Sequence, residues 1–173
     1  MRNLTKVLLT ALLAVGVLAL QGCQDQKTEA MVQQVIAIEK ADQCHLCGMT
    51  ISKYPGPKGQ LYSRGISGNM KFCSTRDMFA FILDPENQHN IQQAFVHDMA
   101  VTPWGHPEED TYTDAKLAFY VVGHGKKGAM GPTLASFSKR QDASDFAASE
   151  GGKVLTFEQV DLQVMAAMTK MKM

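Results

Sequence analysis

Phe72-Cys73-Ser74-Thr75-Arg76-Asp77 and Phe137-Ser138-Lys139-Arg140-Gln141-Asp142 are two renderings of one local instruction. Each passes from a strand-ending phenylalanine through serine into a helix. A serine hydroxyl covers an orphan N–H at a helix start while an acid three residues on reaches back. After the first copy, Met78, Phe79, Phe81 and Ile82 predict a short buried helix. Asp84-Pro85 stops it, because proline disfavours the helical conformation in the residue before it. After the second, Ser138 caps a helix through Asp145-Phe146-Ala147-Ala148, and Gly151-Gly152 supplies a left-handed stop. Each copy is preceded by a glycine loop and a strand, and followed by another strand.

Working outward, residues 60–66 read as a strand, 69–72 as its hairpin partner across Ser67-Gly68, and 93–99 as a closing strand. In the second half, 117–122 is the most strand-like run of the chain, with 134–137 and 153–157 beside it. Residues 158–170 fit a C-terminal helix with Val160, Val164, Ala167 and Met168 on one face. The fold class is therefore α+β: two small ββαβ lobes forming a degenerate pseudo-repeat, with a C-terminal helix. The lobes are assigned to residues 32–100 and 117–173. Residues 101–116, with acidic Glu108-Glu109-Asp110, are an exposed connector, and 32–38 is β-branched, a strand or a docking segment.

The chain has 173 residues, with Lys+Arg 17 against Asp+Glu 17, and no basic run, so nothing points to nucleic acid. Arg2 and Lys6 precede an apolar run over 7–20, too short for a comfortable membrane span. The run ends in Leu20-Gln21-Gly22-Cys23, which resembles a bacterial lipobox. Residues 1–22 are then a lipoprotein signal peptide, Cys23 the lipidated first residue, and 23–31 a flexible tether. Gln24 rather than Asp after the cysteine points to the outer membrane of a Gram-negative bacterium, facing the periplasm. Lipidating Cys23 leaves Cys44, Cys47 and Cys73, an odd number in an oxidising compartment, so at least one thiol is free, shared or metal-bound.

Cys44-His45-Leu46-Cys47-Gly48-Met49 packs two thiols, a thioether and an imidazole into one loop. Thiolate and thioether are soft donors that select Cu(I) over cations preferring oxygen. A redox Cys-x-x-Cys of the thioredoxin type opens a long helix, and Tyr54-Pro55-Gly56-Pro57 leaves no room for one. Zinc normally wants four Cys or His ligands, and no second paired cluster exists, but Cys73 with a histidine could complete a zinc site. Met130 sits in a second glycine loop, Gly128-Ala129-Met130-Gly131-Pro132, where little hydrophobic periodicity would bury it. Met78, Met99, Met165 and Met168 read as core filler. His45 and His124 lie inside the two loops and could be further donors, His106 beside Trp104 stands outside them, and His89 and His97 read as surface and strand residues. Cys73 reads as a buried apolar residue. No nucleophile–base arrangement is visible, so no enzyme is expected. The alternative is a lipid-anchored thiol–disulfide oxidoreductase using Cys44 and Cys47; an organomercurial-lyase-like enzyme, needing two thiols and a carboxylate, stands third.

The ordered set Cys44-His45-Leu46-Cys47-Gly48-Met49, Tyr112-Thr113-Asp114-Ala115-Lys116, Ala118-Phe119-Tyr120-Val121-Val122-Gly123, Ala129-Met130-Gly131-Pro132 and Phe137 resembles the NosL lipoproteins. The likeness extends through Phe146-Ala147 and Gly151-Gly152 over nearly all of the mature chain. The resemblance implies a periplasmic Cu(I) chaperone serving the copper sites of nitrous-oxide reductase, with that enzyme and its membrane-bound maturation complex as partners. It implies a two-lobed ββαβ fold similar to part of organomercurial lyase. Carried onto this chain, it puts the Cu(I) ligands on Cys47 and Met130, with Cys44, Met49 and His124 as further donors. Cys73 departs from the pattern, which has a carboxylate after the phenylalanine.

Overall fold

The computed structural model describes residues 33–170. The signal peptide, Cys23 and the tether lie outside the described residues. No helix among the described residues is long and apolar enough to cross a membrane.

The first half folds as strand β1 (Gly59–Ser63), strand β2 (Met70–Phe72), helix α1 (Thr75–Ile82) and strand β3 (Ile91–His97). β1 lies between β2 and β3, antiparallel to both, with Leu61 opposite Met70 on one side and Ala94 on the other. The second half repeats this with strand β5 (Phe119–Val122), strand β8 (Ala135–Phe137), helix α2 (Arg140–Glu150) and strand β9 (Lys153–Thr156). Its sheet order, β8-β5-β9, is that of β2-β1-β3: second strand, first strand, last strand. The expected pair of ββαβ units is present. A two-residue ladder of β6 (Lys127–Gly128) and β7 (Gly131–Pro132) lies within the second glycine loop. A 3₁₀ turn at Phe157–Gln159 precedes helix α3 (Leu162–Lys170), so the C-terminal helix starts later than the sequence pattern suggests.

Of three local expectations, two are corrected and one takes its docking alternative. The connector is not all loop: strand β4 (Tyr112–Asp114) pairs with β3, and Glu109 is half-buried and accepts the Ile38 N–H at 2.8 Å. Residues 33–39 form no strand. They dock instead through side chains, Gln60 bonding both the N–H and the carbonyl of Ile36 while Tyr62 donates to the Gln34 carbonyl. A buried glutamine amide supplies a donor and an acceptor, so one side chain replaces a ladder rung. Helix α2 is preceded by Lys139 with no side-chain cap, rather than capped by Ser138. The Ser138 hydroxyl donates to Asp98 instead, tying the strand end to the first half.

The main core joins both halves. Alternation on β5 sends Tyr120 to the side of α1, where it meets Phe79 edge-on at 4.9 Å between ring centres. Its neighbour Val121 turns to the opposite face with Ala135, Phe137 and Ala143, under α2. Across the junction Ser136 donates to the His97 carbonyl at 2.6 Å, and Met99 N–H bonds the Ser136 carbonyl at 2.9 Å.

His97 is fully buried at the end of β3. Its Nδ1 accepts the Lys58 N–H at 3.0 Å, its ring lies 3.9 Å from that of Tyr112, and its Nε2 has no partner among the described residues. Burial, with the Lys58 charge adding to it, pushes the imidazole down from 6.5 to about 3. The depressed folded value means that stability is complete above the unfolded pKa and is lost as pH falls from 6.5 towards 3. The loss reaches at most about 1.4 kcal/mol per pH unit for this one proton. Urea unfolding at neutral pH and at mildly acid pH measures it. His97→Asn, which keeps an acceptor for Lys58, is expected to be less stable at neutral pH but to show a flatter acid slope.

Candidate metal centre

The loop after residue 43 closes on itself. Cys44 N–H bonds the Met49 carbonyl and Gly48 N–H bonds the Cys44 carbonyl, each at 2.9 Å. The tight return requires φ of +71° at Gly48, a conformation a side chain would resist. Just beyond, Ile51–Lys53 forms only a single 3₁₀ turn, so no long helix follows the thiols.

β2 is an edge strand, and edge strands leave backbone groups open to another segment. His45 N–H takes one of them, the Lys71 carbonyl, at 2.8 Å. The Lys71 ammonium reaches back to the Asp42 carboxylate and the Ala37 carbonyl. The His45 ring, though exposed, rests edge-on against Phe72 and Phe81. The cysteine loop is thus laid along β2, one step before that strand ends at Phe72, next to Cys73.

Cys73 is fully buried at the strand-to-helix junction. Ser74 caps α1 as expected, its hydroxyl accepting the Asp77 N–H at 3.1 Å. The reciprocal half of the capping box does not form. The Asp77 carboxylate turns to the thiols, 3.2 Å from Cys73 Sγ and 3.6 Å from Cys44 Sγ. Cys47 Sγ completes the group, 3.5 Å from Cys73 Sγ. One donor atom from each of Cys44, Cys47, Cys73 and Asp77 lies within 4.8 Å of the others. Cys44 and Cys73 are buried, Cys47 is exposed, and all three are free.

Packed thiols cannot all ionise together. Hydrogen bonding from Cys73 lowers the Cys44 thiol from its ordinary value, against the opposing effect of burial. Cys73 is pushed up by that same bond, by burial and by the Asp77 charge. Burial leads the factors that push Cys47 up to about 11. Of the three thiols, Cys44 is the one whose ionisation is favoured, while Cys47 and Cys73 are held back. A thiophilic metal arriving here must displace protons from the other sulfurs, and its affinity then falls in acid. Lys58, buried over Tyr54 and Pro55 with its ammonium on both their carbonyls, is lowered to about 8 by desolvation and adds positive charge near Cys73.

The second glycine loop is fastened to the first residues of α1. Thr75 Oγ1 meets Thr133 Oγ1 at 3.0 Å and the Leu134 carbonyl at 2.6 Å, and Arg76 donates to the Met130 carbonyl at 3.3 Å. The Pro55-Gly56-Pro57 turn, which follows the cysteine loop and its 3₁₀ turn, touches it too. A Cβ on Gly56 would come within 3.4 Å of Gly128 Cα and 3.3 Å of the Trp104 ring. Met130 is partly exposed, at 37%. The two sulfur-bearing loops thus converge on one end of α1.

Of the residues singled out from sequence, Cys44 and Cys47 sit in the thiol group, Met49 is half-buried at the loop's closing bond, and Met130 lies on the adjoining loop. His124 is elsewhere, buried edge-on against Trp104 and Phe146. Asp77 was read only as a capping acid and Cys73 as a packing residue. Their spacing was a usable signal: at positions i and i+4 across a helix start they can share a face.

The NosL family profile matches residues 34–165. The copper-binding lipoprotein NosL of Stutzerimonas stutzeri is 43% identical over 93% of this chain and 84% of its own length. The copper-binding lipoprotein NosL of Achromobacter cycloclastes is 33% identical over 86% of this chain and 78% of its own. The crystal structure of the copper chaperone NosL from Shewanella denitrificans superposes with a TM-score of 0.74 at 45% identity, covering 75% of this chain and 97% of that one.

Thr75→Val removes the buried hydroxyl that holds the second loop to α1. It is expected to cost about 1–3 kcal/mol, the penalty for buried acceptors left unpaired. Urea unfolding measures the loss, and faster amide exchange across residues 127–133 would locate it.

Proposed function

Because this chain belongs to the NosL family, we propose that it is a copper chaperone that carries a single Cu(I) between its two sulfur-bearing loops. The observation that carries this is the thiol group itself: three cysteines and a carboxylate, gathered from a loop and a strand–helix junction, with Met130 on the neighbouring loop. Sulfur donors in this number suit a soft monovalent ion. Cys47 and Met130 are the first ligands, with Cys44 beside Cys47 in the thiol group and Met49 as a further donor. His124 is held edge-on against Trp104 and Phe146, and both its ring nitrogens are without a partner among the described residues. No catalysis is required of this arrangement.

Delivery follows from coordination chemistry. Cys47 is the exposed thiol, and Met130 is partly exposed, so the cargo is held at an accessible rim rather than sealed in the core. Cu(I) tolerates few ligands. A thiolate or imidazole of the recipient can enter at that rim before Cys47 and Met130 let go, and no bare ion need form. We assign the recipient to nitrous-oxide reductase and its membrane-bound maturation complex. Lipid on Cys23 would keep the carrier at the periplasmic face of the outer membrane.

Titration of the reduced chain against a Cu(I) chelator is expected to show one equivalent bound. X-ray absorption should find a shell dominated by sulfur. Cys47→Ser and Met130→Leu should each weaken binding by at least about tenfold, or ~1.4 kcal/mol. Wild-type affinity in both variants would place the copper elsewhere. Because the Cys47 thiol is raised to about 11, copper displaces its proton, and affinity should rise about one decade per pH unit through neutrality for that thiol.

A further inference from the structure

The Cys-x-x-Cys spacing invites a disulfide between Cys44 and Cys47. The structure sets a different pair in contact. Cys47 Sγ is 3.5 Å from Cys73 Sγ, whereas the acceptor beside Cys44 Sγ is the Asp77 carboxylate at 3.6 Å. The two thiols also differ in access. Cys47 is exposed on the loop, while Cys73 is fully buried. A bulky disulfide oxidant can reach the first and not the second, so the pair has the division of labour of an attacking and a resolving thiol. Closing the contact to a covalent S–S bond, about 2 Å long, needs the loop to settle inward by little more than an ångström. The loop is already held to β2 at His45, two residues from Cys47.

We propose that Cys47 and Cys73 form a regulatory disulfide that shuts the copper site. The reaction is ordinary exchange with a small-molecule or protein disulfide. Cys47, losing its proton to solvent, attacks one sulfur of the oxidant, forms a mixed disulfide and expels the other sulfur as a thiolate. Cys73, losing its proton, then attacks Cys47 Sγ, and the second oxidant thiolate leaves. Two protein thiols are oxidised and one external disulfide is reduced to two thiols. Cys44 and Asp77 take no part in the bond. The product lacks two thiolate donors and pins the loop to the strand–helix junction. Cu(I) loading is thereby confined to the reduced chain. This last consequence rests on the copper reading above; the pairing itself does not.

The full chain, reduced and freed of metal, is incubated with oxidised glutathione, quenched with an alkylating agent and mapped by peptide mass spectrometry. The expected product links Cys47 to Cys73 and leaves Cys44 alkylated after unfolding. A Cys44–Cys47 link, or glutathione retained on Cys47 without closure, overturns the proposal. Cys44→Ser should still close the Cys47–Cys73 link, while Cys73→Ser should stop at the glutathione adduct on Cys47. Closure of Cys73→Ser at the wild-type rate would overturn it as well. In a parallel chelator competition, the oxidised chain should lose Cu(I) binding and a dithiol reductant should restore it. Binding equal in both redox forms overturns the shut site. A reduced chain that binds no Cu(I) defeats the chaperone reading instead, and the mapped link still decides the pairing.

Discussion

One hydrogen bond, from the His45 N–H to the Lys71 carbonyl, places the chemistry of this protein. β2 is the outer strand of its sheet, and its free edge accepts the cysteine loop at a single rung. That rung fixes the depth and register of the loop against the strand end. Cys44 and Cys47 therefore arrive beside Cys73, and the first turn of α1 brings Asp77 up to the same point. A long ladder would have held the loop rigidly. One rung, backed by the Lys71–Asp42 pair and the His45 ring on Phe72 and Phe81, holds it while leaving Cys47 at the surface.

The pseudo-repeat explains why the site is one-sided. Both halves run strand, strand, helix, strand in the same sheet order, and both end their second strand at phenylalanine. In the first half that phenylalanine is followed by a thiol and a capped helix bearing a carboxylate. In the second half the equivalent serine bonds Asp98, and the helix begins uncapped. One copy of the unit carries donors at the strand–helix junction; the other closes the core through Tyr120 and lends the Met130 loop. The glycines at the loop contact matter for this. Gly56, at φ +80°, lies where the turn after the cysteine loop meets the second loop, and a Cβ there would press on the Trp104 ring at 3.3 Å.

The thiol group also shows how crowding tunes sulfur. Three thiols held this close to one another and to a carboxylate resist ionising together, so Cys47 and Cys73 hold their protons more tightly than free thiols do. A thiophilic ion supplies the positive charge that lets them go. The same closeness makes the sulfurs sensitive to oxidants, and both properties come from one packing arrangement.

From sequence alone, the periodicity and the paired Phe-to-serine junctions determined that this chain builds two ββαβ units, and the soft donors at Cys44, Cys47, Met49 and Met130 determined the class of ion to consider. These are local properties: alternation, capping and ligand softness are written within a few neighbouring residues. The strand at Tyr112–Asp114, the side chains that fasten the docked segment before residue 40 and the burial of His97 and Lys58 were not legible, because each depends on a partner away along the chain. Only the tertiary structure recruited Cys73 and Asp77 to the thiols and set His124 among aromatic rings away from them. Which side chains converge is decided by how an edge strand, a loop and a helix end pack together, and no spacing along the chain encodes that distance.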